Sequence, residues 1–169
     1  TVFQIPYYSV FYTDYQLFVE QVTGRWDILV FYDPDHSCRL LEEAILATRM
    51  KQKYNELVIG IDPGRKPYAI VLGDEEVLEH GYVDQSAIAE FIEKRIACYP
   101  HENVVVRVGG GANGWLIALK IKEKLSISVE VVDEVDTTPR EYHVSDPLYM
   151  YLSETLNIKD KNAYAALKI

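Results

Sequence analysis

At 169 residues the chain is long enough for one sizeable hydrophobic core and at most a small appendage. Apolar residues at 49% and charged residues at 25% exclude a disordered chain, and no run approaches the roughly 20 apolar residues of a membrane span. A net charge of −9, from 17 basic and 26 acidic residues, counts against a broad electrostatic grip on phosphates, although local patches and bound divalent cations offset it where they occur.

The first residues, Thr1 to Pro6, lack the basic start and small-residue cleavage site of a secretory signal. The tyrosines that follow (Tyr7, Tyr8, Tyr12, Tyr15) read as core and interface residues, with a stacking surface as the alternative. Asp27 to Tyr32 is a strand stopped by Asp33-Pro34-Asp35. Ser37 then caps a helix expected from about Arg39 to Lys53, whose apolar stripe is Leu40, Leu41, Ala44 and Ala47. Arg49, Lys51 and Lys53 would sit in its last turns, where the helix dipole favours positive charge. Residues 1–56 thus read as a small α/β extension and a possible dimer interface. Cys38 and Cys98 are far apart and have no metal-ligand spacing, so reduced thiols and a cytoplasmic setting are expected.

A second segment, 57–169, opens with the buried strand Val58 to Ile61, which gives out at Asp62 before the turn Pro63-Gly64. Tyr68 to Leu72 is a second strand. Gly73-Asp74-Glu75 turns it tightly into a third, antiparallel strand, Val77 to Val83. An amphipathic helix from Gln85 to Tyr99 ends at Pro100. A fourth strand, Val104 to Val108, runs into Gly109-Gly110-Gly111. A helix from about Gly114 to Leu125 and a fifth strand from Ile127 to Val132 follow. A mainly loop-like stretch then leads to a C-terminal helix from about Lys161. Three meandering strands followed by alternating helices and strands predict an α/β fold with a mixed five-stranded sheet, antiparallel first and parallel later, flanked by helices.

In such a sheet, ligands gather beyond the carboxyl ends of the parallel strands. Those ends carry Asp62, the Gly109–Gly111 run and Asp133-Glu134. Carboxylates converging from separate strands make a hard oxygen site suited to Mg2+ or Mn2+. Two such ions about 4 Å apart hold the attacking and leaving oxygens of a phosphodiester.

Gly60-Ile61-Asp62-Pro63-Gly64, set in this strand order, resembles the RNase H-like superfamily and within it the RuvC/YqgF type of Holliday junction resolvase. Val132-Asp133-Glu134-Val135-Asp136-Thr137-Thr138 is similar to the Asp-Glu-Arg-x-Thr-Thr segment of the YqgF branch. Asp160-Lys161-Asn162-Ala163-Tyr164-Ala165-Ala166-Leu167 resembles the helix that brings the superfamily's last acid. The resemblance covers about residues 57–169 and implies a metal-dependent nuclease acting on branched DNA or structured RNA, as a homodimer. It implies Asp62 and Glu134 as catalytic metal ligands, with Asp160 or Asn162 completing the shell. Thr137 and Thr138 fall within the matched motif. The chain departs from the pattern at Asn162, where an Asp is usual, at Val135, where an Arg is usual, and at the fourth strand, which ends in glycines in place of an acid.

Plainer readings stand beside these. Asp62 serves equally as a turn former, Glu134 as part of a solvated acidic loop and Asp160 as a helix N-cap. Gly109, Gly110, Gly111 and Asn113 either cradle a phosphate at a helix N-terminus or make a tight strand-to-helix connection. Arg107, inside an apolar strand, either pairs with a neighbouring acid or reaches a phosphate near the glycines. His36, His80, His101 and His143 share no ligand spacing. A catalytically inactive binding module is one rival function. A nucleotide- or phosphate-binding protein related to the acetate and sugar kinase branch of the same fold is the other.

Overall fold

The computed structural model describes residues 8–111, 113–133 and 146–169. The extension begins with strand β1 (Ser9–Thr13), helix α1 (Gln16–Val22) and strand β2 (Ile28–Tyr32), the two strands pairing in parallel. The buried Asp33 closes the next turn by accepting the Tyr12 hydroxyl at 2.7 Å and the Ser37 amide at 2.6 Å. Ser37 caps helix α2 (Cys38–Thr48), accepting the Leu40 amide at 3.1 Å. Helix α2 stops at Thr48 and not at Lys53, because Met50 takes a left-handed φ of 57° that L-residues do not sustain within a helix. Arg49, Lys51 and Lys53 are therefore outside its last turn; they pair with Glu76, Asp74 and Glu102. Of the expected core tyrosines, Tyr12 is half-buried on Asp33, Tyr8 and Tyr15 are exposed, and Tyr7 lies outside the described residues.

The main sheet follows. Strands β3 (Tyr54–Asp62), β4 (Tyr68–Gly73) and β5 (Glu76–Tyr82) form an antiparallel meander. Helix α3 (Ile88–Cys98) leads to β6 (His101–Gly109), and helix α4 (Gly114–Lys124) leads to β7 (Ser128–Val132), both strands parallel to β3. The strand order is β5-β4-β3-β6-β7. The chain is thus an α/β protein with a mixed five-stranded sheet flanked by helices. Short helix α5 (Pro147–Met150), a π-helical turn at Tyr151–Thr155 and helix α6 (Lys161–Lys168) complete it.

Two features set which side chains face which way. The β4–β5 turn places Asp74 and Glu75 at φ of 48° and 72°, the left-handed pair that a twisted hairpin favours. A bulge then shifts the β4–β5 register by one residue between Val71 and Leu72. One residue of shift exchanges the faces of all that follows, so Tyr82, and not Gly81, stands opposite Tyr68.

Each sheet face has its own core. Leu57, Ile59 and Ile61 of β3 join Val106 and Val108 of β6 against Ile88 and Ile92 of α3 and Ile117 and Ile121 of α4. On the opposite face, Tyr68 and Ile70 of β4 pack with Leu152, Ile158 and Ala163, Tyr164 and Ala166 of α6. Helix α6 reaches the backbone of β3 itself: a Cβ on Gly60 would lie 2.3 Å from the Ala166 carbonyl oxygen. Only glycine admits that approach.

The expectation of unpaired thiols is corrected. Cys38 at the start of α2 and Cys98 at the end of α3 form a disulfide, with Cα atoms 5.4 Å apart, inside the span a disulfide bridges. A sequence separation of 60 hid a spatial contact that the packing of α2 beside α3 creates. Among the described residues, no helix is long and apolar enough to cross a membrane.

Candidate functional site

Strands β3, β6 and β7 run parallel, so their carboxyl ends share one edge of the sheet, where β3 ends at Asp62, β6 at Gly109 and β7 just before Asp133. Asp62 stands directly opposite Tyr68, and Tyr68 opposite Tyr82. Residues opposed across neighbouring strands project to the same face. Asp62 also lies two positions after Gly60, which places it on the face that α6 covers. An acid and two phenols thus form one row across three strands.

Helix α6 brings the second half of the site to this row. Asp160 is its N-cap: Oδ1 accepts the Asn162 amide at 2.8 Å. The other oxygen, Oδ2, accepts the Tyr82 hydroxyl at 2.9 Å. The Asn162 side chain donates through Nδ2 to that same hydroxyl at 2.8 Å. The N-cap reading of Asp160 holds, and the cap has a second task. Tyr82 packs edge-on against Tyr68, with centroids 4.9 Å apart and planes at 83°. Tyr68 is buried, and its hydroxyl meets His80 Nδ1 at 2.7 Å. Burial, with the nearby Asp160 charge and Tyr82 behind it, pushes the Tyr68 phenol up to about 12. The Tyr82 phenol is raised too, chiefly by its hydrogen bond to Asp160. Asn162 opposes this, while desolvation and the charges of Asp160 and Asp62 add to it. Both carboxylates therefore act on one hydroxyl.

The glycine connection lies alongside. A Cβ on Gly114 would stand 1.8 Å from the Gly109 carbonyl oxygen and 3.5 Å from the Pro63 ring, so the Asp62-Pro63 turn touches the start of α4. Gly110 donates its amide to Val132 O at 2.7 Å, and Gly114 donates to Gly111 O at 2.8 Å. These contacts are those of a tight strand-to-helix connection. Asn113 is the N-cap of α4 but makes no side-chain cap bond. Arg107 pairs with Glu130 at 3.0 Å and lines a cavity with Lys51, Glu56 and Asp74, toward the end of β3 away from Asp62. Glu134, Thr137 and Thr138 lie outside the described residues.

Among the described residues, no three His, Cys, Asp or Glu side chains cluster as a metal-binding group. The oxygens of Asp62, Asp160 and the Asn162 amide are nevertheless the hard donors that Mg2+ and Mn2+ take. Asp160 engages each oxygen once, and a carboxylate offers about four lone-pair sites, so capacity for a cation remains. The donor chemistry fits. Tyr82, Tyr68 and His80 were not identified as site residues from the sequence. The tyrosine in each strand of a predicted hairpin was the available signal, and the bulge concealed that they align. No family model matches the chain, and no curated protein matches it.

Proposed function

We propose that this chain is an RNase H-like domain of the RuvC/YqgF resolvase type that hydrolyses phosphodiester bonds in structured nucleic acid with Mg2+ or Mn2+. The observation that carries this reading is the position of Asp62. It ends the central strand on the face where α6 delivers Asp160 and Asn162. The meander of three strands followed by two parallel ones supports the same family.

In this proposal Asp62, Glu134 and Asp160 hold the cation, with Asn162 beside them. A bound divalent cation supplies positive charge against the charge that develops on the phosphate oxygens in hydrolysis. The chain's own residues supply the rest. The buried β3 fixes Asp62, while the N-cap bond and Tyr82 fix Asp160. Exposed Lys159 and Lys161 flank Asp160 and can meet phosphates of a bound strand. A chain with a net charge of −9 needs such local compensation to approach a polyanion. Symmetric cleavage of a four-way junction requires two copies, so the reading includes a homodimer.

Asn162 favours a second reading, an RNase H-like module that binds nucleic acid without cutting it. An amide stands where the resolvase pattern has a carboxylate, and its Nδ2 donates to the Tyr82 hydroxyl. One experiment separates the two: calorimetric Mn2+ titration with cleavage assays on branched, duplex and single-stranded substrates, for wild type and Asp62→Asn. The nuclease reading expects Mn2+ binding and Mn2+-dependent cleavage, both lost in Asp62→Asn, with cleavage down at least about a hundredfold. Binding of a branched substrate without cleavage at any Mn2+ concentration selects the module. A wild type that binds no Mn2+ sinks the nuclease reading.

A further inference from the structure

We propose that Tyr82 is a positioning residue of this site, its hydroxyl locking the Asp160 carboxylate on the sheet face that carries Asp62. The inference rests on the cation reading above and deepens it.

The lock is built from the core outward. Tyr68 is buried, and His80 holds its hydroxyl at 2.7 Å. Tyr82 rests edge-on against the Tyr68 ring. Although Tyr82 is 55% exposed, its hydroxyl is held from two directions, donating to Asp160 Oδ2 at 2.9 Å and accepting from Asn162 Nδ2 at 2.8 Å. Asp160 is in turn held at both oxygens, by Tyr82 and by the Asn162 amide. Carboxylates that ligate metals are oriented by such hydrogen bonds, and losing one costs about ten- to a hundredfold in affinity. Two of the roughly four lone-pair sites of Asp160 stay open for a cation.

The amide at position 162 now has a chemical reason. Its Nδ2 donates to the Tyr82 oxygen, leaving that hydroxyl's proton for Asp160. A carboxylate at 162 has no such donor, and it would set a second negative charge beside Asp160. Asn162 thus acts on Asp160 through Tyr82 by its Nδ2 donor, which is separate from the amide oxygen that a hard cation takes.

The test is Mn2+ affinity of the full chain, measured by electron paramagnetic resonance for wild type, Tyr82→Phe and Asp62→Asn, with thermal melts of each. Phenylalanine keeps the ring on Tyr68 and removes only the hydroxyl. Tyr82→Phe is expected to weaken Mn2+ at least about tenfold while the melting temperature stays within about 2 °C. Unchanged or tighter binding in Tyr82→Phe, with binding lost in Asp62→Asn, overturns the role of Tyr82 and leaves the cation reading intact. Weakened binding with a fall of more than about 5 °C assigns Tyr82 a merely structural role and overturns the proposal. No Mn2+ binding by wild type overturns both.

Discussion

Asp74 sits at the tip of the β4–β5 hairpin, and its carboxylate reaches back to the start of β3. It accepts the Asn55 amide at 2.7 Å, the Glu56 amide at 3.2 Å and the Lys51 ammonium at 3.1 Å. Desolvation alone would raise its pKa, but the Lys51 bond and the two backbone amides outweigh it and hold the carboxyl below its usual value. A depressed acid stabilises the fold above its unfolded pKa, and that contribution is lost as pH falls through the folded value. Asp74→Asn should therefore lower unfolding free energy at pH 7 by about 1 kcal/mol in urea titrations. The gap between wild type and variant should close below about pH 4; a gap constant with pH would refute the assignment. The helix caps at Ser37 and Asp160 were legible at this scale, because capping depends on local side-chain chemistry. Tyr82 was not legible, because a bulge sets its facing.

Among the elements, α6 depends on one residue of β3. With Ala166 O only 2.3 Å from a Cβ at position 60, Gly60→Ala must push α6 off the sheet or bend β3. Backbone offers no side-chain rotation to relieve the overlap, so a loss of about 3 kcal/mol or more is expected in chemical denaturation. Displacing α6 also withdraws Asp160 and Asn162 from Tyr82, so limited proteolysis should cut near residue 160 faster in the variant. Unchanged stability and cleavage would show that α6 does not need this contact. The strands of the main sheet and helices α3, α4 and α6 were legible from periodicity and from Pro and Gly stops. Strand β1 was not: Ser9–Thr13 is a tyrosine-flanked run whose pairing with β2 is non-local. The end of α2 was missed because Met50, a residue with no turn preference, takes the left-handed conformation.

Across the whole molecule, the disulfide ties α2 of the extension to α3, which packs on the five-stranded sheet. Arg39 donates to Ala97 O at 3.4 Å, and Tyr54 donates to Glu42, along the same seam. Closing a loop of separation 60 restricts the unfolded chain by up to about 4 kcal/mol. Dithiothreitol, or Cys38→Ser, should lower the melting temperature by at least several degrees. A thiol titration of the denatured chain should find two thiols only after reduction; two free thiols beforehand would refute the pairing. Asp62 and the mixed sheet were legible along the chain, but the pairing of α2 with α3 and the meeting of Tyr82 with Asp160 exist only in the folded whole.

That meeting also has an order in time. Asp62 and Tyr82 belong to the meander, whose strands pair with near neighbours in sequence and so close quickly. Asp160 and Asn162 leave the ribosome 78 and 80 residues after Tyr82, the separations their hydrogen bonds span. Asp160 and Asn162 join Asp62 and Tyr82 only when α6 docks over Gly60. The candidate site is thus complete only once α6 has docked, after the meander that carries Asp62 and Tyr82.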